Sequence, residues 1–103
     1  MAGYVLTPAA QDDLVDIRAW YQEEAGLKVA RQMVVEFVNA FRLLARNPGL
    51  GHSREDLAGS RPVLFWAMRD YLILYRRDSY PLEILGIVRG SRDLPVIIKR
   101  REP

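Results

Sequence analysis

Residues 63–76 read VLFWAMRDYLILYR, and residues 82–93 follow as LEILGIVRGSRD. Val63–Met68, Tyr71–Tyr75 and Leu82–Val88 are apolar runs rich in β-branched and aromatic side chains, a composition that predicts three strands. The links between them are short: Arg69-Asp70, then Arg77 to Pro81. Such links join antiparallel neighbours, so the runs form a meander, with Pro81 where the ladder requires no donor. Alternation then sends the adjacent Phe65 and Trp66 to opposite faces, and one core can bury only one of them. The other either packs beneath the preceding loop or rests against another chain, as aromatic side chains do at interfaces.

Upstream the periodicity changes. Tyr4, Val5 and Leu6 suit an extended backbone, and Thr7-Pro8 is a helix start, with Thr7 as N-cap and Pro8 at the first helical position. Ala10, Leu14, Ile17 and Tyr21 then recur at helical spacing, Asp12, Asp13, Asp16, Glu23 and Glu24 mostly take the other side, and Gly26 is a left-handed stop. Ala30, Val34, Phe37, Phe41 and Leu44 mark a second helix that ends before Asn47-Pro48-Gly49. A link as short as Gly26 makes the two helices antiparallel neighbours whose joint apolar face needs a lid, and the meander supplies it. The expected fold is α+β in the order βααβββ, with the N-terminal strand and helix hairpin packed on a small antiparallel sheet. The tail Leu94–Arg101, LPVIIKRR, reads either as a last strand or as a short helical turn.

A chain of 103 residues, half of them hydrophobic, is expected to form one domain over 1–103 with a single core. The absence of cysteine excludes disulfides, thiolate metal sites and thiol nucleophiles, and suits a reducing compartment. No apolar run approaches the roughly 20 residues that span a bilayer, and the start MAGYVLTPAAQDDL lacks the pattern of an export signal, so the expected location is cytoplasmic with no membrane contact. The net charge of +2 is uneven: residues 1–53 carry five basic and six acidic side chains, residues 54–103 ten and seven. That excess could attract phosphate or an acidic protein segment, but it falls short of a dedicated nucleic-acid binder.

One histidine and scattered carboxylates give no metal-ligand spacing, and the glycines fit neither a phosphate loop nor a dinucleotide fingerprint, so no metal or cofactor is expected. His52 stands alone in a glycine-flanked loop. The arginines are more informative. Arg69, Arg89 and Arg92 lie at strand ends where a meander could gather them at one rim, and guanidinium forks suit phosphate or carboxylate. Arg76 and Arg77 read as edge charges that discourage strand addition. Ribonuclease chemistry would also need a proton acceptor and a proton donor. Tyr71 or Tyr75 could donate, yet no lysine or histidine is paired with them in the sequence.

The order of elements, together with LTPAAQDDLVDI, NPGLGHSREDL, RDYLILYR and LEILGIVRGSRDL, resembles the toxins of the RelE and ParE superfamily over nearly the whole chain. Pro8-Ala9-Ala10 with Asp13-Leu14 and Ile17, the Pro48–Gly51 turn with Arg54 and Leu57, and Gly90–Asp93 are closer to the ParE branch. The resemblance implies a type II toxin–antitoxin system: a toxin without a recognised catalytic set that acts on DNA gyrase and is neutralised by a ParD-like antitoxin with an acidic tail. It implies contact with DNA only through that antitoxin, in a hetero-oligomer. Arg69, Arg89 and Arg92 are then the target-binding candidates, and Trp20, Phe65, Trp66 and Leu72 the antitoxin-binding ones. Two departures stand out: Arg89 where many ParE-like chains have histidine, and Leu64 where an arginine is common, with Arg61 displaced upstream. A RelE-like ribosome-dependent messenger RNA endoribonuclease is the alternative, although the lysines that branch uses are missing, Lys28 and Lys99 lying elsewhere. A non-toxic remnant that serves as a regulatory partner of its antitoxin is the second alternative.

Overall fold

Thr7 ends the first strand, β1 (Tyr4–Leu6), and begins the first helix, α1 (Pro8–Ala25). Its hydroxyl accepts the Ala10 N–H at 3.2 Å, as an N-cap should. The computed structural model describes residues 3–59, 61–89 and 94–101. Gly26 alone links α1 to α2 (Leu27–Arg46), at φ +93°. Nothing lies within 4 Å of where its Cβ would stand, so glycine serves the backbone angle there and not the space. The helix stripes follow the spacing closely: Ala10, Ile17, Ala30, Phe37, Phe41 and Leu44 are buried, with Leu14 and Tyr21 packed beside them, but Val34 is only half-buried and Met33 and Ala40 take core places on α2 that the spacing did not single out.

The meander is also as expected: β2 (Val63–Met68), β3 (Tyr71–Arg76) and β4 (Leu82–Arg89) pair antiparallel in sequence order. β1 then joins the free edge of β4 in parallel, Tyr4 opposite Leu82 and Leu6 opposite Ile84. The sheet is therefore mixed and four-stranded, in the order β1-β4-β3-β2, where the sequence suggested an N-terminal strand packed on a purely antiparallel sheet. Everything between β1 and β4 acts as one long crossover, and a crossover is what a parallel pair requires.

β1 is shorter than β4, and α1 completes its work. The Thr7 N–H donates to the Ile84 carbonyl at 3.1 Å, the Thr7 hydroxyl donates to Leu85 at 3.3 Å, and the Ile87 N–H finds the Asp13 carboxylate at 2.9 Å. Backbone groups on that edge of β4 are thus met by Thr7, through its N–H and its hydroxyl, and by the Asp13 side chain after the strand has run out.

A bulge decides which residues face which side. Leu74 opposes Gly86 while Tyr75 opposes Ile84, so Leu85 is the extra residue of β4. Leu82, Ile84 and Ile87 consequently face the helix hairpin, and Leu85 and Val88 face away from it. That second face is apolar too. Phe65, Leu74, Leu85 and Val88 pack there beneath α3 (Glu55–Ala58) and α4 (Leu94–Arg101), which contribute Ala58 and Ile98. The tail is a helix, and Phe65 and Trp66 are reconciled by two cores: Phe65 lies in the second, while Trp66 packs half-buried against the first.

The connection between α2 and β2 is tied down at two points. The Tyr75 hydroxyl donates to the Pro48 carbonyl at 2.6 Å and accepts the Gly51 N–H at 2.9 Å. Next to it, His52 and Phe65 exchange two backbone hydrogen bonds of 2.8 Å.

Candidate functional site

Arg69 and Asp70 form the two-residue turn between β2 and β3, a link whose favoured forms need positive φ. Arg69 adopts φ 55°, uncommon for a residue with a side chain. Its guanidinium is held by the Glu36 carboxylate of α2 in a two-pronged contact at 2.8 and 2.9 Å. The hydrogen bonds from Arg69 pull the Glu36 carboxyl below its ordinary range and keep the guanidinium firmly charged.

Two residues on, Tyr71 begins β3 opposite Arg89, the last residue of β4. Both belong to the face that packs on the helices, where α1 brings Trp20 and Tyr21. The Arg89 guanidinium carbon lies 5.5 Å from the centroid of the Trp20 ring and 5.5 Å from that of Tyr71. Both distances fall inside the range in which a cation is attracted to a ring face. Tyr71, 5% exposed, stands edge-on to Phe37 at 5.5 Å, and Phe37 stacks on Phe41, so the core holds one side of the seat. Trp20 is 49% exposed and braced by Tyr21, edge-on at 4.9 Å. Burial, reinforced by a hydrogen bond with Tyr71, raises the Tyr21 phenol above its usual value, and the charges of Arg89 and Arg69 pull the other way. Trp20, Tyr21, Glu36, Arg69, Tyr71 and Arg89 therefore form one cluster at one end of the sheet.

Two of the three arginines singled out in the sequence are in that cluster, and they differ. Arg69 has its fork occupied by Glu36, whereas among the described residues no acidic side chain pairs with Arg89. Arg92 lies outside the described residues. Arg76 and Arg77 are at the opposite end of β3, where Arg76 meets Glu83 at 3.0 Å and Arg77 meets Asp78 at 3.4 Å. The strand ends thus make two separate rims.

The four aromatic and apolar residues offered for partner contact do not share a surface. Trp20 and Trp66 lie on the helix side of the sheet, and Phe65 and Leu72 on the other. Phe65, at 2% exposure, is taken up by this chain's own second core, which corrects its place among surface residues. Leu72 is partly buried against the same cluster. Tyr21 and Glu36 were missed: one reads as the last residue of a core stripe, and the other reaches Arg69 across 33 positions with no local signal. The hydroxyl of Tyr75, weighed as a proton donor, is engaged with Pro48 and Gly51. His52 borders the outer edge of β2, three strand positions from β4, and at about 4.8 Å per strand this puts it roughly 14 Å from the Arg89 strand.

Among the described residues no group of three or more His, Cys, Asp or Glu side chains could hold a metal ion. None of the described helices is long and apolar enough to cross a membrane.

The family model described as the ParE toxin of the type II toxin–antitoxin system parDE matches residues 4–94. Among solved structures, the chain is similar to one from the chromosomal ParDE TA system of P. aeruginosa, with a TM-score of 0.71 and 22% identity. That match covers 86% of this chain and 96% of the other, and it is a likeness of fold. No curated protein matches. The matched segment takes in the whole cluster around Arg89 and ends where α4 begins.

Proposed function

Since this chain belongs to the ParE toxin family of type II toxin–antitoxin systems, we propose that it arrests growth by binding DNA gyrase in the cytoplasm, and that an antitoxin encoded beside it neutralises it in a tight complex. The observation that carries this reading is how Arg89 is held. Two ring faces lie within cation–π range of its guanidinium, and among the described residues no acidic side chain takes its N–H donors. That is the construction of a recognition residue. The groups around it suit binding better than bond cleavage: Tyr21 and Tyr71 bond to one another, the raised Tyr21 phenol is a poor base near neutrality, and Tyr75 is occupied.

The test is a supercoiling reaction with purified gyrase. Inhibition or trapped cleaved DNA is expected from the purified protein. Site-specific cutting of messenger RNA in a cell-free translation reaction, with supercoiling untouched, would transfer the chain to the ribonuclease reading. Harmless induction in cells would dismiss both.

A further inference from the structure

The helix hairpin turns one side to the sheet and the other to solvent, and on the outer side its two helices carry opposite charge. On α1, Asp12, Asp16 and Glu23 are exposed opposite the core stripe of Ala10, Leu14 and Ile17. At about 100° per residue they share an arc of about 40°, and Arg18, the helix's one basic residue, stands about 120° round from Asp12. On α2, Lys28, Arg31, Arg42 and Arg46 are exposed opposite Met33, Phe37 and Ala40, within an arc of about 60°. The one acid of α2, Glu36, is taken by Arg69.

These charges have no use inside the chain. Among the described residues none of them is in an ion pair. Asp12 with Asp16, and Arg42 with Arg46, even put like charges four residues apart, a spacing that disfavours an isolated helix. Each row also carries an exposed valine, Val15 at 65% on α1 and Val35 at 51% on α2.

A partner for this face must present a basic row beside an acidic one. A nucleic acid or a purely acidic segment would suit α2 and be repelled by α1. A second copy of the chain fits both. Turned about a twofold axis parallel to the helices, it lays its α2 on the first copy's α1 and its α1 on the first copy's α2. Both helices leave the same turn at Gly26, so residues at like distances from it come level. Glu23 then meets Arg31 of the other copy, Val15 meets Val35, and Asp12 meets Arg42, each within two residues, or about 3 Å, of exact level.

We propose that the outer face of the α1–α2 hairpin is a self-complementary surface through which two copies of this chain pair, acidic row on basic row, around the two valines. The strip is about 27 Å long and about two helix widths across, roughly 500 Å² per copy, which lies at the low end of specific interfaces. The dimer is therefore weak and sensitive to salt. Nothing in this pairing depends on the toxin reading.

The experiment is analytical ultracentrifugation of the full chain over a range of concentrations, at low salt and at high salt. In low salt the mass should rise from 11.8 kDa towards twice that, with a dissociation constant on the order of 10–100 µM. About 0.5 M salt should weaken it at least tenfold. Asp12→Arg with Glu23→Arg makes both rows basic, and Arg31→Glu with Arg42→Glu makes both acidic, so each doubly changed chain should stay monomeric. Mixed together they should pair with each other, and a single chain carrying all four changes should dimerise again. Thermal melts check that every variant folds.

A wild type that stays monomeric at about 200 µM in low salt overturns the pairing, since an interface of this size should be largely filled there. So do dimers that survive either charge reversal, and so does failure of the two folded, reversed chains to associate when mixed. A wild-type chain that remains monomeric and binds a DNA duplex through Arg31 and Arg42 would assign the basic row to phosphate and also overturn it. None of these outcomes bears on gyrase inhibition, which the supercoiling reaction tests by itself.

Discussion

Arg69 and Glu36, 33 positions apart in sequence, are joined by two hydrogen bonds that fasten the tip of the β2–β3 hairpin to the middle of α2. The bond from Arg69 depresses the Glu36 carboxyl, so the folded form holds the proton less tightly than the unfolded chain does. A depressed folded value gives a contribution that is present above the ordinary glutamate range, about 4.3, and fades as pH falls through the lower folded value. The pair is partly exposed, so the effect is modest. Wild type should therefore melt above Glu36→Gln at pH 7, with the gap narrowing as the pH falls below the ordinary glutamate range. A gap that stays constant across this range would remove the ion pair as its cause.

The hydroxyl of Tyr75 is buried and bonded on both sides, to the Pro48 carbonyl and the Gly51 N–H. Tyr75→Phe leaves both backbone groups unpaired and should cost about 1–3 kcal/mol in urea unfolding. Gly51→Ala strikes the same place from the other side, because its Cβ would stand 2.5 Å from that hydroxyl and 2.9 Å from the Phe65 carbonyl. The two changes should couple, with Gly51→Ala milder in the Tyr75→Phe background. Simple additivity of the two costs would contradict the contact.

Asp13 reads in the sequence as part of an acidic helix face, yet its carboxylate accepts the Ile87 N–H beyond the end of β1. Asp13→Ala should lower the hydrogen-exchange protection of the Ile87 amide and destabilise by about 1–2 kcal/mol. Asp13→Asn, which keeps an acceptor, should retain most of both. Equal protection in Asp13→Ala would mean that the N–H is satisfied elsewhere.

What was legible in the sequence is what depends on neighbours. The Thr7-Pro8 start, the reversal at Gly26 and the two helix stripes are local patterns, and the meander follows from link lengths of a few residues. The rest depends on distant pairing. The parallel docking of β1 on β4 and the grip of Glu36 on Arg69 leave no mark within a window of ten residues. The site was half-readable for the same reason: the register that sets Tyr71 opposite Arg89 follows from the meander, but the arrival of Trp20 depends on how α1 lies across the sheet.

The second face of the sheet gives a further test, since LPVIIKRR is too short for its periodicity to separate strand from helix. Ile98 is 1% exposed and Phe65 2%, whereas Trp20 is 49%. Ile98→Ala should cost about 2–4 kcal/mol and Phe65→Ala about 3–5 kcal/mol, each by emptying a packed site. Trp20→Ala should change unfolding far less and act on toxicity. An Ile98→Ala variant as stable as wild type would show that α4 contributes nothing to the fold.

Arg69 and Arg89 look alike in sequence, each at a strand end beside a turn, and the structure separates them. Arg69 is engaged with Glu36, so Arg69→Ala should lower the melting temperature and touch growth arrest only in proportion to the folded protein lost. Arg89 lies at the exposed end of β4 on two ring faces, one of them from a half-exposed tryptophan, so Arg89→Ala should melt close to wild type. Its loss should instead abolish growth arrest at unchanged protein level, because the chain then offers its target an aromatic seat without the charge. Arg89→Lys keeps a point charge but neither the flat fork nor the stacking, and should retain only a fraction of the toxicity. Induction of the three variants in one strain, with protein levels measured alongside melting temperatures, separates the two roles. Full toxicity in Arg89→Ala would remove it from the site, and loss of toxicity in a stable, abundant Arg69→Ala would return Arg69 to it.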